Sequence, residues 1–142
     1  MPEFTPYRTE AEIEQVAEKF EACAFTADEF FHSRHLTVAA WYFLQLDERT
    51  AEERMRAGLQ RFLRHHGKNG YHVTITEYWL RLVAHQICQS PPGHESVALV
   101  NQIVERLGDK GLINKHYSPE LLASPDARAR WLAPDLSPLA LD

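Results

Sequence analysis

Three of the eight histidines in this chain of 142 residues carry a spacing that could support chemistry. His32 and His35 fall in Phe31-His32-Ser33-Arg34-His35. Three positions apart, they share one face if the segment is helical. His72 follows in Tyr71-His72-Val73-Thr74-Ile75-Thr76-Glu77, at the head of another apolar stretch. Imidazole ligates transition metals and titrates near neutral pH, so such a group suits a metal centre or proton transfer. A catalytic ion takes three protein ligands and keeps one position open. His32, His35 and His72 would supply three nitrogens, a set that accepts a divalent Zn, Fe, Cu or Ni alike. The expected function is therefore a small metal-dependent enzyme, its ion polarising a small-molecule substrate or lowering the pKa of bound water. Two alternatives stand beside it. One is a metal-free enzyme with a histidine as general acid or base on a small apolar substrate. The other is a non-catalytic helical module that binds a small molecule or a protein and uses its histidines structurally.

Neighbouring side chains extend these readings. Thr76 and Glu77 are candidates for groups that orient a ligating imidazole or share its proton. Glu77 has a stronger competing role, because Thr74-Ile75-Thr76-Glu77 fits a capping box in which Glu77 bonds the Thr74 backbone N–H. His85 lies thirteen residues beyond His72, about 20 Å along a helix, too far to share an ion. His65 and His66 end a helical segment, where positive charge suits the dipole. His94 and His116 fall in loops with no evident partner. Phe30, Phe31, Trp41, Tyr42, Tyr71, Tyr78 and Trp79 read mainly as core, with an apolar pocket under the histidines as the other reading. The chain has no Gly-x-Ser-x-Gly elbow, phosphate-cradling loop or dinucleotide fingerprint.

These residues need elements to hold them, and the hydrophobic pattern is helical throughout. A first helix is expected over 9–23, opened by the capping box Thr9 and Glu12. A second pair, Thr26 and Glu29, suggests a short helical turn. The second long helix, 33–47, is apolar on nearly every side and belongs in the middle of the fold. Thr50 with Glu53 should start a third helix, which Gly67 ends. The fourth should begin at Thr74 and stop at Pro91-Pro92-Gly93, and the fifth covers 95–107. A Gly-containing connector over 109–114 leads to a Pro-punctuated tail. There Ser118-Pro119 and Ser124-Pro125 each place a cap before a proline, predicting short helices over 119–123 and 125–131. Trp131, Leu132, Leu136 and Leu139 should pin the tail. Only 71–75 offers a brief strand-like alternative. The sum is an all-α bundle of four to five main helices with a wrapped C-terminal tail, one domain over 1–142.

Composition narrows the partners. The apolar fraction of 44% and charged fraction of 25% are ordinary for a globular protein. A net charge of −5 weighs against a nucleic-acid partner, which would draw a basic stripe. No apolar run approaches the length of a membrane span. Residues 1–12 lack the apolar core of a signal peptide, and Cys23 and Cys88 form no CxxC pair. Two reduced, buried or half-buried thiols in a cytoplasmic protein are expected. A homo-oligomer is compatible with all of this.

The segments Phe31-His32-Ser33-Arg34-His35-Leu36, Ala40-Trp41, His66-Gly67, Gly70-Tyr71-His72-Val73-Thr74-Ile75-Thr76, Tyr117-Ser118, Ser124-Pro125-Asp126-Ala127-Arg128 and Trp131-Leu132-Ala133-Pro134-Asp135-Leu136 occur in this order. Together they resemble the pattern of a family of short, uncharacterised bacterial all-helical proteins, over most of residues 30–136. The resemblance implies that His32, His35 and His72 matter without assigning them an activity. It also implies that Tyr117, Arg128 or Asp135 approaches the same site.

Overall fold

The computed structural model describes residues 4–90, 93, 95–139 and 141. Its main helices are α1 (Glu10–Glu21), α2 (His32–Gln45), α3 (Glu48–His65), α4 (Val73–Gln89) and α5 (Ser96–Leu107). The most apolar of the expected helices takes the centre: every residue of α2 from Leu36 to Phe43 is buried. Around it pack α1, α3, α4 and α5. Such placement is what a helix without a polar face requires. The chain is an all-α bundle, and no helix among the described residues is long and apolar enough to cross a membrane. No strand occurs among them either, and 71–75 becomes loop and the first turn of α4.

Local capping explains where the helices begin. The Thr9 hydroxyl accepts from the Glu12 N–H at 3.3 Å and Glu12 accepts from the Thr9 N–H at 3.0 Å, the expected capping box. Thr26 and Glu29 make the same reciprocal pair at 2.8 and 3.2 Å, but close a turn rather than a helix. Two expected starts are corrected. α3 begins at Glu48 because Asp47, a stronger cap lying just upstream, accepts from the Thr50 N–H at 3.1 Å and the Thr50 hydroxyl at 2.6 Å. Glu53 is left to pair with Arg49 on the surface. α4 begins at Val73, with His72 rather than Thr74 as its cap. Pro91 and Pro92, expected to stop α4, and the loop residue His94 lie outside the described residues.

The tail forms a second, smaller core. A 3-10 helix over Lys110–Lys115 leads to α6 (Pro119–Leu122) and α7 (Pro125–Ala129), each capped by the serine expected for it. Tyr78, Ile113 and Tyr117 are buried there, with Trp131 and Leu139 packed against them. Leu136 does not pin the tail as expected: its side chain is 57% exposed, and only its backbone N–H is engaged, donating to the His116 carbonyl at 2.9 Å. Of the two thiols, both free, Cys23 is half-buried as expected while Cys88 departs from expectation and is exposed.

Candidate ligand-binding cavity

A cavity of about 680 Å³ lies where α2, α3 and α4 meet the loop before α4. Its floor is apolar, formed by buried Leu36, Ala39, Met55, Phe62, Leu80 and Val83. Its rim carries exposed Asp28, Lys68, Asn69 and Lys110. His32, His35, His72 and Thr76 all contribute to the wall, so four of the five residues singled out from sequence surround one space. Phe30, Phe31, Tyr71 and Trp79 line it too. Trp41 and Tyr42 are instead core, and Tyr78 belongs to the tail cluster.

His32 and His35 occupy the first turn of α2. The Nε2 of His32 lies 3.0 Å from the Leu107 carbonyl oxygen, and the Nε2 of His35 lies 3.0 Å from that of Phe30. A carbonyl can only accept, so each ring carries its proton on Nε2 and leaves Nδ1 as a lone pair when neutral. Burial first, then repulsion from His32 and Lys110, pushes the His35 pKa down to about 4. His32 is likewise lowered, mainly by burial. Both rings are therefore neutral at pH 7. Aromatic neighbours hold them: His35 stacks on Phe30 at 4.1 Å and His32 meets Trp79 edge-on at 4.4 Å. Neither Nδ1 has a partner among the described residues, and the Tyr78 hydroxyl is the one sealed, unpaired side-chain polar atom there. Both rings line the cavity.

His72 is placed differently. Its Nε2 donates to the Leu122 carbonyl at 2.8 Å, and its Nδ1 accepts from the Ile75 N–H at 3.1 Å. Both nitrogens are spent, one capping α4 and the other tying that helix to α6. Among the described residues no three His, Cys, Asp or Glu side chains are grouped as a metal ion requires. His32, His35 and His72 share a cavity without forming that ligand set, because the helix cap occupies the third lone pair. Thr76 stands beside Tyr71, where its hydroxyl opposes the upward pull of burial on the phenol pKa. Glu77 is absent from the wall and forms no capping box. Arg56 holds it through two bonds of 2.7 Å, from Nε and the terminal nitrogen, and also reaches Glu52 at 2.9 Å. Fixed in a two-point ion pair, Glu77 links α3 to α4.

Thr74 acquires the role that sequence assigned elsewhere. Fully buried, its hydroxyl donates to the Arg130 carbonyl at 2.8 Å and accepts from the Leu132 N–H at 3.2 Å, fastening the tail to α4. The tail residues implied by the resemblance do not reach the cavity. Tyr117 donates to the Leu132 carbonyl at 2.7 Å, Asp135 accepts from Ser118, and Arg128 is exposed. His116 gains a partner that sequence did not offer, donating from Nδ1 to the Ser137 carbonyl at 3.1 Å. His66 caps the end of α3 and donates to the Phe25 carbonyl at 2.9 Å. Sequence reasoning missed Lys110 on the cavity rim, since nothing local in 109–114 marks it. It also missed Arg56, for which the i, i+4 spacing from Glu52 was the available signal.

The chain matches no family model, and no curated protein or solved structure shows significant similarity to it.

Proposed function

We propose that the protein binds a small, largely apolar molecule between α2, α3 and α4, with His32 and His35 as its polar contacts. One observation carries this reading. Two imidazoles in the wall of a cavity of about 680 Å³ have Nε2–H locked to backbone carbonyls and Nδ1 without a partner among the described residues. The volume suits a drug-sized ligand, and few polar groups set in an apolar lining are typical of small-molecule sites. A base whose pKa lies near 4 is weak at neutral pH, which favours recognition by His35 over proton abstraction. The test is a thermal-shift and ligand-observed NMR screen with small aromatic and aliphatic fragments. Binding is expected in the wild type and lost in Leu59→Trp, which fills the cavity from a half-buried lining position. A screen without hits, or hits that survive Leu59→Trp, would sink the proposal.

The orientation of the rings supports a second reading, a divalent ion at the same place. Ligating imidazoles commonly donate their other N–H to a backbone carbonyl, as His32, His35 and His72 all do. His72 would have to release the Ile75 N–H to join them. Thermal shifts with Zn, Cu, Ni and Fe(II) test this, and an unchanged melting temperature with all four would exclude it.

A further inference from the structure

Building on that reading, we infer that the cavity selects an uncharged molecule whose head donates a hydrogen bond, such as a phenol, an alcohol or an indole-type N–H, carried on an apolar body. The argument rests on what the two imidazoles can offer. The Leu107 carbonyl lies at the C-terminal end of α5, where no later helical N–H can satisfy it, and it takes the Nε2–H of His32. The Phe30 carbonyl precedes α2 and takes the Nε2–H of His35. Turning either ring over would put a carbon, Cε1, in place of Nε2 opposite the carbonyl, and the other tautomer would put a lone pair there, so the assignment of nitrogens is fixed. Both rings line the cavity, and what each has left to offer a ligand is one acceptor, three residues apart on one helix.

An acceptor in an apolar wall must be met by a donor or left desolvated and unpaired. A carboxylate brings only further acceptors, and its charge would lose water against the apolar floor. Lys68 and Lys110 could attract such an anion, but both are exposed at the rim, and Asp28 stands among them. They do not supply the donors that the His32 and His35 nitrogens lack. A methyl ether or a plain hydrocarbon of the same shape fits the floor equally well yet leaves both lone pairs unmet. Sites built to hydrogen-bond a hydroxyl discriminate strongly against analogues that lack it, for this reason.

Four probes with one body separate these cases: naphthol, methoxynaphthalene, naphthalene and naphthoate. Affinities are measured by ligand-observed NMR, with the imidazole nitrogens of the protein followed in parallel. Naphthol is expected to bind about tenfold or more tighter than the other three, and to move an unprotonated imidazole nitrogen upfield. The double variant His32→Phe/His35→Phe should keep naphthalene and lose the preference for naphthol. Circular dichroism and a retained naphthalene signal show that this variant is folded. If it unfolds, the single variants and the nitrogen shifts in the wild type carry the test. Equal affinity for naphthol and methoxynaphthalene, or tightest binding of naphthoate, would overturn the donor requirement while leaving the cavity as a binding site. Failure of all four to bind would overturn both.

Discussion

Replacing His35 by leucine removes two quantities that a pH series can separate. The first is the bond from Nε2 to the Phe30 carbonyl, 3.0 Å long, with the ring stacked 4.1 Å from the Phe30 ring. Leucine keeps apolar contact but leaves that carbonyl short of a donor, at a cost of about 1–3 kcal/mol near pH 7. The second quantity has the opposite sign. His35 titrates near 4 in the folded chain, against an ordinary value of 6.5. Between those values the unfolded chain takes up a proton that the folded chain refuses, so folding loses stability as pH falls through the interval. The neutral form is fully favourable above about 6.5, and the loss is complete below about 4. At about 1.4 kcal/mol per unit this amounts to about 3.5 kcal/mol, reduced by whatever screening cavity water provides. Urea denaturation of wild type and His35→Leu near pH 7 and near pH 4.5 measures both. His35→Leu should be the less stable protein at neutral pH, and the gap should narrow or reverse in acid. His32, lowered in the same direction, leaves a residual slope in both proteins. Parallel stability curves, with the same gap at both pH values, would refute the burial of a neutral imidazole at this position.

Other substitutions probe the elements around the cavity. His72→Ala removes the cap on Ile75 and the link to Leu122, and should cost about 1–3 kcal/mol in urea denaturation; His72→Asn can still cap and should recover about 1 kcal/mol of that. Identical losses in the two would mean that the cap contributes nothing. Thr74→Val keeps the shape of a fully buried side chain but strips the hydroxyl from Arg130 and Leu132. Hydrogen exchange at 131–132 should accelerate while α2 stays protected, and unchanged exchange there would show that the tail is held by packing alone. Gly58→Ala adds a Cβ only 2.6 and 2.7 Å from the Phe20 ring. Phe20 is fully buried and stacked on Phe30 at 4.6 Å, so it has no room to withdraw. Net destabilisation of about 1–3 kcal/mol is expected despite the better helix propensity of alanine, and a raised melting temperature would contradict it.

The helices were legible because each rests on short-range signals. The all-round apolar character of 36–43 demands a central position, and that segment is the core of α2. Ser118-Pro119 and Ser124-Pro125 combine a cap with a preset backbone, and both short helices form where expected. The misplaced starts of α3 and α4 share one cause. Thr50 and Thr74 each had an acid three residues later, but a competing acceptor stood just upstream. Asp47 won at α3 and the imidazole of His72 at α4. Glu77, freed from capping, went to Arg56, a partner 21 residues away that no local pattern connects to it.

The site was legible as a location and not as a chemistry, and the reason lies in the backbone. All three imidazoles donate Nε2–H to a carbonyl, His32 and His72 across separations of 75 and 50 residues. Those carbonyls decide which nitrogen each ring has left. The remaining Nδ1 of His72 meets an N–H of its own helix at once, because His72 precedes that helix and the first-turn donors point back toward it. The Nδ1 atoms of His32 and His35 cannot be spent this way. They lie inside the first turn of α2, and the His35 N–H already bonds the Phe31 carbonyl at 3.2 Å. A histidine one position before a helix becomes a cap, whereas one within its first turn keeps a lone pair for something else. The sequence contains both kinds and marks them with the same letter, so the difference between a structural and a ligand-facing histidine here is the start of a helix, placed correctly to within one residue.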